Sequence, residues 1–284
     1  MLEVVIDAVV DSVKLLPFLF IAYLIMEYIE HKTKKHAKET IKKSGNLGPL
    51  IGGIVGVFPQ CGFSASATNL YAGRVISLGT LIAVYLSTSD EMLPILISES
   101  VSIGIIAKIL AIKMIIGICA GFIIDFIIRL TNKEKKTEHI KEFCEHESCN
   151  CNNDGILKSS LKHTLNIFVY IFVITLLINC LMFFIGEDRV GEFIGNYKFL
   201  GPVVASLVGL IPNCAASVII TNLYLGGIIN AASLIAGLLT GAGVGLIVLF
   251  KVNDNLKENF TILALIYGIG VISGIVLELI GFSI

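Results

Sequence analysis

The chain has 284 residues, 55% hydrophobic and 15% charged, with a formal net charge of −1 and a mean hydropathy of +0.88. Soluble domains carry roughly 25% charged residues, so a water-exposed fold is excluded and the bilayer is the natural solvent. The near-zero net charge excludes the global basic field on which nucleic-acid binding rests.

The first apolar run, about 4–30, carries Glu3, Asp7 and Asp11. It has neither a positive n-region nor a small-residue cleavage site, so it is expected to be a retained helix rather than a cleaved signal. A basic segment follows at 31–44, with Lys32, Lys34, Lys35, Lys38, Lys42 and Lys43 against Glu39 alone. The stretch at about 46–73 is interrupted by Pro59 and preceded by Gly48-Pro49. It reads as two pieces of about 13 residues, each roughly 20 Å of helix and short of the roughly 30 Å hydrocarbon core. Apolar runs at about 75–98 and 101–130 are long enough to span. The longest polar stretch is 131–158, and another apolar run covers about 160–186. Residues 199–227 repeat the interrupted pattern with Gly201-Pro202 and Pro212, and runs at about 229–250 and 260–282 close the chain.

Loops rich in Lys and Arg stay cytoplasmic. The rule places 31–44 and 131–158 inside, the latter through Arg129, Lys133, Lys135, Lys136 and Lys141, and puts the N-terminus and the 187–192 loop outside. An even number of crossings must separate two cytoplasmic loops, so 46–73 is either two short spans or a re-entrant hairpin. The expected location is the cytoplasmic (inner) membrane, multi-pass. Seven cysteines, with Cys61, Cys119 and Cys214 among those inside apolar runs, do not form a secreted disulfide framework.

Shifted by 153 residues, the sequence falls on itself. Gly48-Pro49 meets Gly201-Pro202, Pro59-Gln60-Cys61 meets Pro212-Asn213-Cys214, and Ser64 meets Ser217. Thr68-Asn69-Leu70-Tyr71 meets Thr221-Asn222-Leu223-Tyr224, and Gly117, Gly121 and Asp125 meet Gly270, Gly274 and Glu278. Shared hydrophobicity does not produce gapless identity of Pro, Cys, Asn and Tyr, so the chain reads as a duplication. The first half starts outside and ends inside and the second does the reverse. The predicted fold is therefore an all-α polytopic membrane protein of two inverted-topology repeats, about five spans each, with Pro-broken short helices at the midplane. The repeats are expected at 1–131 and 158–284, joined by a cytoplasmic Cys/His/Glu-rich linker at 132–157.

Inverted repeats with corresponding broken helices are a recurring transporter architecture, with substrate bound near the breaks. Proline removes an N–H and opens the helical ladder, and such backbone is tolerated at membrane depth only where it is buried or lines a cavity. The breaks at Pro59 and Pro212 therefore mark a candidate substrate site, with Gln60, Cys61, Ser64 and Asn69 facing Asn213, Cys214, Ser217 and Asn222. The bland alternative is a packing kink lined by small residues. Ser87-Thr88-Ser89-Asp90-Glu91 is a second cluster, and acids near a span are functional candidates. Asp90 and Glu91 have no acidic counterpart at Gly243 and Val244, which suggests one cation or proton site; they would otherwise end a helix at the surface. Lys113 lies deep enough in its run to pair with such an acid, whereas Lys108 can snorkel and Asp125 and Glu278 read as interfacial. In the polar loop Cys144, His146, Cys149 and Cys151, with His163 beyond, have the ligand types of soft metals but no zinc-finger spacing. That segment is either a flexible metal-capturing loop or a solvated linker.

The Pro-Gln-Cys-Gly-Phe-Ser run at 59–64, the Ser-Thr-Ser-Asp-Glu run at 87–91, the Cys/His-rich loop and Leu-Lys-His-Thr at 161–164 together resemble the ten-transmembrane heavy-metal exporters. That family is also labelled arsenic-efflux-like permease or manganese transporter. The resemblance implies ten spans and export of a metal or metalloid from the cytoplasm. The cysteines favour a thiophilic ion such as arsenite, zinc or copper, whereas Asp90, Glu91, Gln60 and Asn213 suit manganese.

The chain has no P-loop, no GxSG or HExxH and no Rossmann fingerprint, so transport driven by an ion gradient is expected and an enzyme is not. The rivals are an organic or inorganic anion carrier or channel, suited by helix N-termini at the breaks, and a membrane thiol-disulfide oxidoreductase using Cys61 and Cys214, which lacks a CxxC pair. No permanently bound cofactor is expected. The expected partners are the lipid bilayer and the transported ion, with a homodimer allowed and no nucleic acid.

Overall fold

The computed structural model describes residues 47–58, 61–89, 92–131 and 200–282 continuously, with single helical positions through 9–24 and 161–180. The continuous segments are helical, without strands. The first group is α1 (Gly48–Gly56), α2 (Cys61–Ala72), α3 (Leu78–Ser87), α4 (Met92–Ser98) and α5 (Ile103–Leu130). The second is α6 (Gly201–Gly209), α7 (Cys214–Leu225), α8 (Ala231–Thr240), α9 (Val244–Val252) and α10 (Leu256–Leu279). Each helix of the second group starts at, or within one residue of, its counterpart in the first plus 153.

Local chemistry sets these boundaries in matched pairs. Pro49 and Pro202 stand in the first turns of α1 and α6, where a missing N–H costs nothing. Ser77 caps α3 by accepting from the Thr80 amide at 3.1 Å, and Asn230, its counterpart, caps α8 through the Ser233 amide at 2.8 Å. Ser102 and Asn255 cap α5 and α10 in the same way.

The runs at 75–98 and 229–250, read from sequence as uninterrupted, are each broken in the structure. The first opens after Ser87, where the Ser87 and Thr88 hydroxyls bond back to the Ala83 and Val84 carbonyls at 2.7 and 2.8 Å, competing with the helical ladder. The second opens at Gly241–Gly243, where Gly243 takes φ 55°, a conformation open to glycine. Each break lies near the middle of a span, 78–98 or 231–252. Those two spans form the buried centre of the bundle, while α5 and α10 are more exposed and present Ile115, Ile123, Phe126, Ile272 and Val276 outward. Apolar side chains on that face suit lipid contact.

α3 packs on α1, α2 and α5, and α8 packs identically on α6, α7 and α10. Between the groups, α2 packs on α9 while α7 packs on α4; α3 touches α10 while α8 touches α5; and α3 touches α8. Every packing pair thus has its counterpart on exchange of the two groups. The groups also run in opposite directions. Asp125 at the end of α5 accepts from the Ser77 hydroxyl and the Gly79 amide at the start of α3, at 2.7 and 2.9 Å, and Arg74 just before α3 pairs with Glu258 in the first turn of α10. The end of α5 and the beginning of α10 therefore share one end of the molecule. α8 begins beside the end of α10, where Asn230 reaches Glu278 at 3.2 Å.

Candidate functional site

α1 and α2 have 9 and 12 residues, or about 14 and 18 Å of helix at 1.5 Å per residue. The turn between them is fixed midway along the 78–98 span: the Ser89 hydroxyl donates to the Val57 carbonyl at 2.7 Å. The Phe58 and Phe63 rings, centroids 5.7 Å apart, clasp the two sides of the turn. Ser89 and Val57, separate in sequence, thus adjoin in space. Pro59, Gln60, Asp90 and Glu91 themselves lie outside the described residues.

The second break meets the first group directly. The Tyr85 hydroxyl donates to the Gly245 carbonyl at 3.1 Å, and Thr68 lies 2.5 Å from the Tyr85 hydroxyl and 3.2 Å from the same carbonyl. A Cβ on Gly245 would stand 2.8 Å from the Tyr85 ring and 2.9 Å from the Ser64 side chain, so this close approach of α9 to α2 and α3 needs glycine. The counterparts of Thr68, Tyr85 and Gly245 are Thr221, Leu238 and the fully buried Met92. The first group meets Gly245 through hydroxyls, whereas the Thr221 hydroxyl bonds within its own helix to the Ser217 carbonyl at 2.7 Å.

α5 lies along α3 through Gly117 and Gly121; a Cβ on Gly117 would stand 2.9 Å from the Ala83 carbonyl. At one end of this stripe the Asp125 carboxylate holds the α3 N-terminus; at the other, the Lys113 ammonium donates to the Thr88 carbonyl just past its C-terminus. Each charge complements the helix pole it meets. Lys113 is 1% exposed and Asp125 7%. Asp125 is therefore a buried cap on α3, near the end of α5.

The expected site residues divide as follows. Ser64 and Asn69 are fully buried, and Asn69 donates to the Ala65 carbonyl of its own helix at 3.1 Å. Ser64 is the one that adjoins the opposing break, at Gly245. Asn213 and Ser217 are buried at the start of α7, and Pro212 is half-buried in the turn before it. Asn213 is extended, with φ −147° and ψ 150°, and its side chain does not cap α7. Asn222 is exposed, unlike its counterpart Asn69. Cys61 and Cys214 begin α2 and α7, but their side chains lie outside the described residues, as do Cys144, His146, Cys149, Cys151 and His163. Among the described residues no three His, Cys, Asp or Glu side chains are grouped closely enough to hold a metal.

A cluster that the sequence does not reveal ties the two groups at one end. Arg74 donates to both Glu258 oxygens, at 3.0 and 3.3 Å, and the Tyr71 hydroxyl donates to the same carboxylate. Partial burial opposes the Arg74 charge, but its hydrogen bonds to Glu258 and that carboxylate's charge hold its pKa above the ordinary guanidinium value. Beside it, Asn253 and Asn259 are paired through 2.7 and 2.8 Å bonds. At the opposite end the matching residues are Gly227 and Ile105 for Arg74 and Glu258, and Ser100 and Ile106 for the two asparagines.

The family model described as "Putative, 10TM heavy-metal exporter" matches residues 1–188. No curated protein and no solved structure matches the chain.

Proposed function

The chain belongs to this family of 10TM heavy-metal exporters, and from that premise we propose that it is a secondary exporter of a divalent metal or metalloid built from two inverted repeats. The sequence offset, the paired packing and the opposed helix directions support the repeat reading, with units at 1–131 and 158–284 joined by 132–157. α5 runs into the 131–158 loop, so the positive-inside rule puts the Arg74–Glu258 end in the cytoplasm. The protein then sits in the inner membrane with its N-terminus outside and the 31–44 loop inside.

The single observation that carries the transport site is the Ser89 to Val57 bond, which joins the α1–α2 turn to the α3–α4 break at mid-span. Broken ends there free carbonyls and amides to bind an ion. Asp90 and Glu91, next in the chain, supply the carboxylates for manganese or another hard divalent ion; Cys61 and Cys214 supply thiols if the cargo is arsenite or zinc. The linker cysteines and histidines collect metal on the cytoplasmic side. Rocking of one repeat against the other gives alternating access.

The test is accumulation of manganese, zinc, cadmium, copper and arsenite in cells lacking their own exporters, with and without the protein. One ion falls in the presence of wild type and recovers with Asp90→Asn/Glu91→Gln or, for a thiophilic cargo, with Cys61→Ser/Cys214→Ser. A second reading, an anion carrier, is favoured by the buried Lys113 ammonium. It predicts that the acid double variant transports normally.

A further inference from the structure

We propose that the Lys113 ammonium is a tethered stand-in for the transported cation: it fills the carbonyl site beyond the C-terminus of α3 when the carrier is empty, and the cargo displaces it. This rests on the metal-exporter reading above.

Lys113 is the eleventh of the 28 residues of α5, about 5 Å from the helix midpoint at 1.5 Å per residue. It is 1% exposed, and its ammonium donates to the Thr88 carbonyl. A lysine so placed is costly and points to function. The matching residue against α8 is Ile266, fully buried on the same Gly-x-x-x-Gly stripe. The helix pair therefore packs with an aliphatic side chain at this position, and packing alone does not explain the charge.

The site that the ammonium occupies suits a metal cation equally well. Carbonyl oxygens at the C-terminal end of a half-helix carry negative partial charge and are recurrent cation ligands in transporters. Thr88 precedes Ser89, whose hydroxyl holds the α1–α2 turn, and Asp90 and Glu91 follow it in the chain. An ammonium and a hard divalent ion compete for the same oxygen lone pairs. With Lys113 in place the Thr88 carbonyl is paired in the empty carrier; with cargo in place the ion takes that role. Both forms are then able to reorient.

The consequence is a separation of two transport modes. Full-length protein in liposomes is loaded with manganese, zinc or cadmium, each alone, and assayed for net efflux and for ion-for-ion exchange; binding is read by titration calorimetry. Lys113→Ile, which copies Ile266, binds the cargo roughly tenfold more tightly, the worth of one competing charge-assisted hydrogen bond. It retains exchange and loses most net efflux, while Lys113→Arg keeps both modes. Thermal melting checks the fold, and Lys113→Met carries the same test if the isoleucine variant does not assemble. Unchanged affinity, equal loss of both modes, or failure of both aliphatic variants to fold would overturn the proposal and leave Lys113 as a structural clamp on α3. If binding of arsenate or phosphate depends on Lys113, the lysine is an anion ligand and the proposal falls. If wild type moves none of these cations, the exporter reading fails first.

Discussion

The α3–α5 pair and the α8–α10 pair are the same construction with different charges. Both rest on two glycines a helical turn apart, Gly117 and Gly121 or Gly270 and Gly274, and both start from a side-chain cap at Ser77 or Asn230. Only the first has Lys113 at the C-terminal pole of the central helix and Asp125 bonded to the backbone at the N-terminal pole, and only its sequence carries acids, Asp90 and Glu91, at the matching positions. The second has Ile266, Gly243 and Val244 at those places, and Glu278 reaches the Asn230 side chain instead. Features present in both pairs are what the packing requires. Features present in one are dispensable for it; Lys113 is at the break in the central span, whereas Asp125 and the Arg74–Glu258 pair are at the end where α3 begins.

The sharpest way to break this comparison is to transplant a charge. Ile266→Lys places a cation in a pair evolved without one and destabilises by about 3–5 kcal/mol, the cost of an uncompensated buried charge. Lys113→Ile melts much closer to wild type in detergent. Equal losses would mean that the two sites are not comparable. The shared glycines come next. Gly121→Val and Gly274→Val each force α5 or α10 away from the central helix and cost about 1–3 kcal/mol by overpacking. A Cβ at Gly121 would meet the Gly79 carbonyl at 2.5 Å and one at Gly274 would meet Pro202 at 2.7 Å. A large difference between the two in thermal melts would contradict a common scaffold.

Smaller effects separate the two crossings. Thr68→Val removes a hydroxyl that bridges Tyr85 and the Gly245 carbonyl and lowers stability by about 1–2 kcal/mol. Thr221→Val removes a 2.7 Å bond to its own helix at Ser217 and costs under about 0.5 kcal/mol, because such back-bonding contributes little to a helix. Smallest of all is Arg74→Gly, which copies Gly227. Loss of a half-exposed pair is worth about 1 kcal/mol or less and is offset by relief of the φ 56° that Arg74 adopts. A melt shifted by more would show that the Arg74–Glu258 cluster is a principal brace between the groups.

The apolar spans were legible because helices in lipid need long apolar runs, and the family because its short motifs occur together. The capped and glycine-lined positions could be matched by the 153-residue offset because Pro, Gly and Asn sit where the backbone demands them. The mid-span breaks were not legible. Ser87-Thr88-Ser89 and Gly241-Ala242-Gly243 also read as small residues lining a helix contact, and only the bonds back to Ala83 and Val84, or the positive φ of Gly243, decide otherwise. The Arg74–Glu258 bridge joins residues 184 apart in sequence and has no local signature. The place of Ser64 in the first turn of α2 was legible because it follows Pro59 closely. The exposure of Asn222 beside the burial of Asn69 was not, since identical residues at matched sequence positions can face different neighbours.

The most direct test of the central claim is tracer flux of manganese, zinc, cadmium and arsenite in liposomes containing only this protein, wild type beside Asp90→Asn/Glu91→Gln. The account predicts gradient-driven movement of one of these ions, abolished by the acid double variant if the ion is manganese and by Cys61→Ser/Cys214→Ser if it is a thiophilic ion, zinc, cadmium or arsenite. Absence of flux for all four ions, or flux indifferent to both double variants, would contradict it.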